Sequence, residues 1–123
     1  MALIRARGEL ICGVEGTMPG FSWLAPSNRQ QGLDADLCRA VAAALLGDGE
    51  RVRFVHLSAA ERFAALASGE VDLLARNTAI TLSRDAAGGN AVSFGPIVYY
   101  DSQALLVPIN SGVRSAADLA GQP

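Results

Sequence analysis

The spacing of apolar and polar positions divides the chain into strand-sized and helix-sized pieces. Residues 9–14, ELICGV, form an apolar run of β-formers, which predicts a buried central strand. Across 34–46, Leu37, Val41 and Leu45 recur on one helical face with Cys38 and Ala42 alongside. Asp34 and Asp36 suit the start of that helix, where carboxylates meet unpaired amides, and Gly47 suits its end. Residues 51–57 set Val52, Phe54 and Val55 or Leu57 against Arg51, Arg53 and His56, the alternation of a second strand. Ser58-Ala-Ala-Glu61 is a capping box. It opens a helix to about residue 68, with Phe63, Leu66 and Ala67 inward and Gly69 closing it. Residues 71–75 predict a short, mainly apolar third strand that is covered on both faces.

Further on, 92–94 and 97–100 flank Gly95-Pro96, and 103–107 is another apolar strand ended by Pro108. Ser115-Ala-Ala-Asp118 caps a short helix that Gly121 stops. The order β-α-β-α-β, loop, β predicts an α/β fold: a parallel sheet with helices on both faces. Ligands of such sheets bind beyond the carboxyl ends of the strands.

Two stretches reach that edge. Residues 15–32 form a long loop punctuated by Gly16, Pro19, Gly20, Pro26 and Gly32, and it carries Phe21 and Trp23. Residues 77–84 leave the third strand through Asn77, Thr78, Ala79, Thr81 and Ser83 to Arg84. An arginine just past a polar turn can hold a carboxylate with two parallel hydrogen bonds. The pattern points to a site for a small acid such as an amino acid, not to a catalyst. Plainer roles compete: Arg84 could pair with Asp85 or Glu70, the turn residues could bond to their own backbone, and the aromatics could cover the core.

Composition narrows the field. At 123 residues the chain is one domain or part of one. Its net charge of −2 and the absence of a basic block argue against a nucleic-acid partner. All positive charge is arginine, which reads as coding bias. No apolar run is long enough to span a membrane, and residues 1–10 do not resemble a signal peptide because arginines interrupt the apolar stretch. Cys12 and Cys38 sit in apolar surroundings without a C-x-x-C spacing, and His56 is distant from both in sequence, so no zinc site is expected. Two buried thiols are the preferred reading. A bridge stays open if the first strand packs on the first helix. Asp34 and Asp36 are better explained by the helix start than as a catalytic pair, and His56 is expected to be exposed. Gly88-Gly89-Asn90 lacks the Lys-Ser/Thr of a phosphate loop and reads as a turn. No catalytic residue, metal or cofactor is expected.

Several stretches together carry a resemblance. They are RARGELICGV, PGFSW, GLDADLCRAVAAALLGD, LSAAERFAALASGEVDLLARNTAITLSRD, FGPIVYYDSQALLVP and SAADLAG. The chain resembles the first lobe of the periplasmic solute-binding proteins for polar and general L-amino acids that serve ABC importers. The resemblance implies two α/β lobes joined by a hinge, with an L-amino acid trapped between them and a permease as partner. It implies that Arg84 pairs with the ligand α-carboxylate. Asn77, Thr78, Ala79 and Thr81 would surround that carboxylate, and Phe21 or Trp23 would pack on the ligand. An acidic residue of the second lobe usually meets the ammonium, and the family is periplasmic.

Two departures stand out. Ala79 occupies a position where many relatives have a hydroxyl, and Ala59 one where many have an aromatic. On this reading 1–108 is a first lobe lacking its C-terminal return, and 109–123 is the exit toward a second lobe. A lone lobe is expected to bind amino acids weakly. Tyr99, Tyr100, Leu105, Leu106 and Val107 would be left bare, predicting a homo-oligomer, with the 103–107 strand exchanged between copies. A partner-binding module without ligand function and a dehydratase-like enzyme on the same scaffold are the competing readings. For the enzyme, Glu15, Asp85 and Asp101 form no recognisable constellation.

Overall fold

The side-chain alternation of one strand organises the core. A computed structural model describes residues 1–85 and 92–121. Strand β1 (Leu10–Val14) is buried along its whole length. It pairs in parallel with β5 (Val52–His56) on one side, Leu10 opposite Val52 through Val14 opposite His56. On the other side it pairs in parallel with β6 (Leu73–Leu74), giving the order β5-β1-β6. Ile11 packs with Leu57, Ala65 and Val71, toward helix α3 (Arg62–Ser68). Cys12 and Val14 point the other way and pack with Cys38 and Ala75, toward helix α2 (Leu33–Leu46). Successive residues of a strand face opposite sides, so the two helices cover opposite faces, as the α/β reading expects. Gly13 leaves room for the leucines around it: a Cβ there would lie 2.7 Å from both Leu57 Cδ1 and Leu74 Cδ2, and those side chains would have to shift.

The helix C-termini follow the sequence signals, whereas the α2 cap and some helix faces do not. Gly47 and Gly69 close α2 and α3 in the left-handed conformation. In the capping box, Ser58 N–H donates to Glu61 Oε2 at 3.0 Å and Glu61 N–H donates to Ser58 Oγ at 3.3 Å. The inward face of α3 differs from expectation. Arg62 and Ala65 are buried, Phe63 and Leu66 are half-buried, and Ala67 is exposed. The start of α2 differs too. Gly32 is the N-cap, and no side chain caps the helix. Asp34 is buried, while Asp36 pairs with Arg39 at 3.0 Å. The third strand is shorter than 71–75, although Asp72 N–H still donates to Ile11 O and Ala75 N–H to Gly13 O. The Asp72 carboxylate also accepts the Ile11 N–H at 2.8 Å and pairs with Arg7 of helix α1 (Ala2–Arg7).

The 15–32 segment is not a simple loop. Strands β2 (Thr17–Met18), β3 (Ser22–Leu24) and β4 (Gln30–Gln31) form a small antiparallel sheet, with pieces too short to show periodicity in the sequence. Three bonds pin it: Gly16 N–H to Ser22 Oγ, Leu33 N–H to Gly20 O, and Asp34 N–H to Phe21 O. Gly32 makes this docking possible, with φ 110° and a Cβ position only 2.3 Å from Phe21 O.

The expected strand at 103–107 is absent. A strand is held by a partner backbone, and among the described residues this run finds none. Leu105 and Leu106 are exposed instead, as are Tyr100 and Ile109 on either side. The short helix beyond them forms as a 3-10 turn (Ala116–Leu119) with its Ser115–Asp118 capping box. Gly88-Gly89-Asn90 lies outside the described residues.

The cysteines correct the preferred sequence reading. Cys12 and Cys38 form a disulfide, with their Cα atoms 6.2 Å apart. The period-two face of β1 and the inner face of α2 bring them together. Closing a loop of this length contributes about 3–4 kcal/mol by restricting the unfolded chain.

Candidate functional site

Because β1, β5 and β6 are parallel, the segments that follow them converge on one edge. Those segments carry Glu15, Arg62 with Phe63, and Arg76 through Arg84. After β6, the chain turns through residues 75–81 and enters the single-turn helix α4 (Leu82–Asp85). The Arg84 and Asp85 N–H groups both donate to Thr81 O. Thr81 Oγ1 and Ser83 Oγ lie 3.2 Å apart. Arg84 folds back so that Nη1 donates to Ala79 O at 2.8 Å, and its guanidinium carbon stands 5.8 Å from the Phe63 ring centroid. On the same turn Thr78 Oγ1 is buried without a hydrogen-bond partner among the described residues.

Arg76 leaves the strand beside this turn. Its Nε donates to Leu57 O at 3.0 Å and its Nη1 to Asn77 Oδ1 at 3.1 Å. Arg62 stacks on Phe63 with its guanidinium carbon 5.0 Å from the ring centroid. Burial, and then the nearby charges of Arg76 and Arg84, hold the Arg62 pKa below its ordinary value. Two carboxylates border the arginines. Hydrogen bonds from Thr17 lower the Glu15 pKa, with Thr17 N–H and Oγ1–H each 2.7 Å from one of its oxygens. Burial pushes the Asp34 carboxyl up to about 6, against the opposing pull of Arg76. One Asp34 oxygen is buried without a hydrogen-bond partner among the described residues.

The sequence-predicted residues fall into separate groups. Arg84, Ala79 and Thr81 are joined by direct bonds, and Thr78 shares their turn. Asn77 is engaged with Arg76. Phe21 meets Tyr99 edge to face at 5.0 Å, and Trp23 is a half-buried member of the small sheet, opposite Thr17 and Gln31. Among the described residues neither ring stacks with an arginine. Sequence reasoning missed Arg62, Phe63 and Arg76 as neighbours of Arg84. Their position was the available signal: Arg76 is the first residue beyond the third strand, and Arg62 follows the capping box. His56 is exposed, as expected, with Nε2 3.0 Å from Gln30 Oε1. Among the described residues no group of His, Cys, Asp and Glu could hold a metal ion. None of the described helices is long and apolar enough to cross a membrane.

Comparison with known proteins agrees with this architecture. The chain is 42% identical over 118 residues to the general L-amino acid-binding periplasmic protein AapJ of Rhizobium johnstonii. It is 46% identical over 118 residues to the glutamate/glutamine/aspartate/asparagine-binding protein BztA of Rhodobacter capsulatus. Each match covers 96% of this chain but only 34% of the relative, so the chain spans about a third of these proteins. Among solved structures, an ABC transporter periplasmic binding protein from Brucella ovis with glutathione bound has a TM-score of 0.67 and 48% identity. That match covers 70% of this chain and 27% of that one. Domain 1 of an arginine-binding protein from T. maritima, in its arginine-bound form, shares the fold at 23% identity and a TM-score of 0.61. There 75% of this chain matches 79% of the other, a single lobe of similar size. The family model for bacterial extracellular solute-binding proteins, family 3, matches residues 10–119. With the parallel β5-β1-β6 lobe and the turn at its carboxyl edge, the match establishes that this chain belongs to the bacterial extracellular solute-binding proteins, family 3.

Proposed function

We propose that the chain is the amino-acid-binding first lobe of an ABC importer's solute receptor, and that Arg84 holds the ligand α-carboxylate. One observation carries the reading: the Arg84 fork is fixed by the Ala79 carbonyl on a turn that also holds the Thr78 hydroxyl, which has no partner among the described residues. A carboxylate is the complement of such a pair, accepting from both groups. Ala79 lacks a side-chain hydroxyl, but its backbone oxygen supplies the positioning. The names of the amino-acid-binding relatives support the ligand class. Residues 1–108 serve as the lobe and 109–123 as the exit toward a second lobe, whose closure would exclude water. The open lobe alone binds weakly, with a dissociation constant of about 1 mM, or −4 kcal/mol.

The test is a heteronuclear NMR titration of the nitrogen-labelled chain with a panel of L-amino acids. Shifts centred on 77–84 at millimolar ligand are expected. No shift in that turn with any amino acid sinks the assignment, and micromolar affinity sinks the claim of weak binding.

A second reading, self-association, rests on a separate observation. Ile97, Val98, Tyr99, Tyr100, Leu105 and Leu106 are all more than half exposed. Such a run favours pairing with a second copy. Light scattering should give a mass above that of one chain, and Leu106→Asp should lower it. A monomer at high concentration removes this reading.

A further inference from the structure

Arg62, Arg76 and Arg84 gather at the carboxyl edge, and among the described residues no carboxylate lies within ion-pair distance of any of them. Of the seven other arginines, those at 7, 29, 39, 51 and 53 have such a partner, while Arg5 and Arg114 also have none among the described residues. The nearby acids, Glu15 and Asp34, feel the charge of Arg76 but do not contact it. Both Glu15 oxygens are taken by Thr17, and the free Asp34 oxygen is buried. Arg62 is nine-tenths buried, and its Nε has no hydrogen-bond partner among the described residues. Phe63 carries both Arg62 and Arg84 on its ring, which holds two like charges close together. Arg76 is tethered through Nε and Nη1, which orients the guanidinium while leaving its other amino group without an acceptor among the described residues.

Holding desolvated like charges together is unfavourable unless an anion joins them. One α-carboxylate on Arg84 answers one guanidinium and leaves the other two. We infer that Arg76, backed by the Arg62 charge, is a second anion seat, and that this lobe selects amino acids whose side chain ends in a carboxylate. The inference rests on the proposed seating of the α-carboxylate at Arg84. It adds a choice within the ligand class: the carboxylate side chain over its uncharged amide. The asymmetry has a physical basis. A side-chain carboxylate accepts charge-assisted bonds from Arg76, whereas an amide of the same shape brings one neutral acceptor and turns a donor toward a cationic cluster.

Glutamate and glutamine are the probes, because they share a shape and differ by one charge. NMR titration of the whole 123-residue chain with each is expected to give about tenfold tighter binding of glutamate, one power of ten in the constant. Arg76→Gln should collapse that ratio toward one, and Arg76→Lys should restore part of it. Equal or tighter binding of glutamine by the natural chain overturns the second seat while leaving the Arg84 reading intact. An unchanged ratio in Arg76→Gln overturns the assignment to Arg76. Binding of neither probe overturns the Arg84 reading and this inference with it. The ratio in the natural chain decides the matter even if Arg76→Gln does not fold.

Discussion

Arg84 Nη1 and the Ala79 carbonyl oxygen lie 2.8 Å apart, five residues away from each other along the chain. The bond closes the turn after β6 and fixes the direction of the arginine fork. Replacing Arg84 by Ala should abolish the amino-acid-dependent NMR shifts with little loss of stability, because the bond it removes is exposed. Arg84→Lys keeps the charge and loses the two-pronged geometry, so binding should weaken about tenfold. Binding that survives in Arg84→Ala refutes the anchor.

The bridge between Cys12 and Cys38 joins the central strand to α2. Reduction, or Cys38→Ser, should cost about 3 kcal/mol and lower the melting temperature by roughly 10–20 °C. Thermal unfolding followed by circular dichroism with and without reductant measures it. Identical melts would contradict a stabilising bridge.

Asp34 gives a pH dependence of defined sign. Its carboxyl is raised from 3.8 to about 6 in the folded chain, chiefly by burial. The folded state therefore holds this proton more tightly than the unfolded state does. The group's stabilising contribution is full below pH 3.8 and is lost as pH rises through about 6. Asp34→Asn should therefore be more stable than the natural chain at pH 7, by about 1–3 kcal/mol, with the difference vanishing below pH 4. Glu15, Glu61 and Asp118, all lowered, act in the opposite direction and cancel in the comparison. A difference that does not change with pH removes the assignment.

Gly32→Ala should be severe. The new Cβ would need to occupy space 2.3 Å from Phe21 O at a backbone angle that favours glycine. A loss of more than about 2 kcal/mol in urea unfolding is expected. Tolerance of alanine would mean that the small sheet docks differently.

Much of the lobe was legible because its signals are local. The face of β1, the ends of α2 and α3 and the Ser58–Glu61 box each follow from a few neighbouring residues. What escaped depends on tertiary partners. The strands of the 17–31 sheet are too short to have a period, and Asp34, placed in the first turn of α2 as read, gives no local sign that its carboxyl is buried. The apolar run at 103–107 looks like a strand but meets no edge among the described residues. At the site, Arg84 was recognisable from its turn. Arg62 and Arg76 were not, since nothing in the sequence tells that Arg62 and Arg84 share the Phe63 ring or that Arg76 lies near them.

The order β5-β1-β6 also sets a timetable for synthesis. The strand made first is the one in the middle, and both of its neighbours arrive much later from the ribosome. Until His56 and then Leu74 emerge, Leu10–Val14 has two open edges and two uncovered faces. Only α2, made after the small 17–31 sheet, can cover one face early, and the Cys12–Cys38 bridge can make that contact covalent once the chain reaches an oxidising compartment. The lobe's least protected moment therefore belongs to its most buried strand.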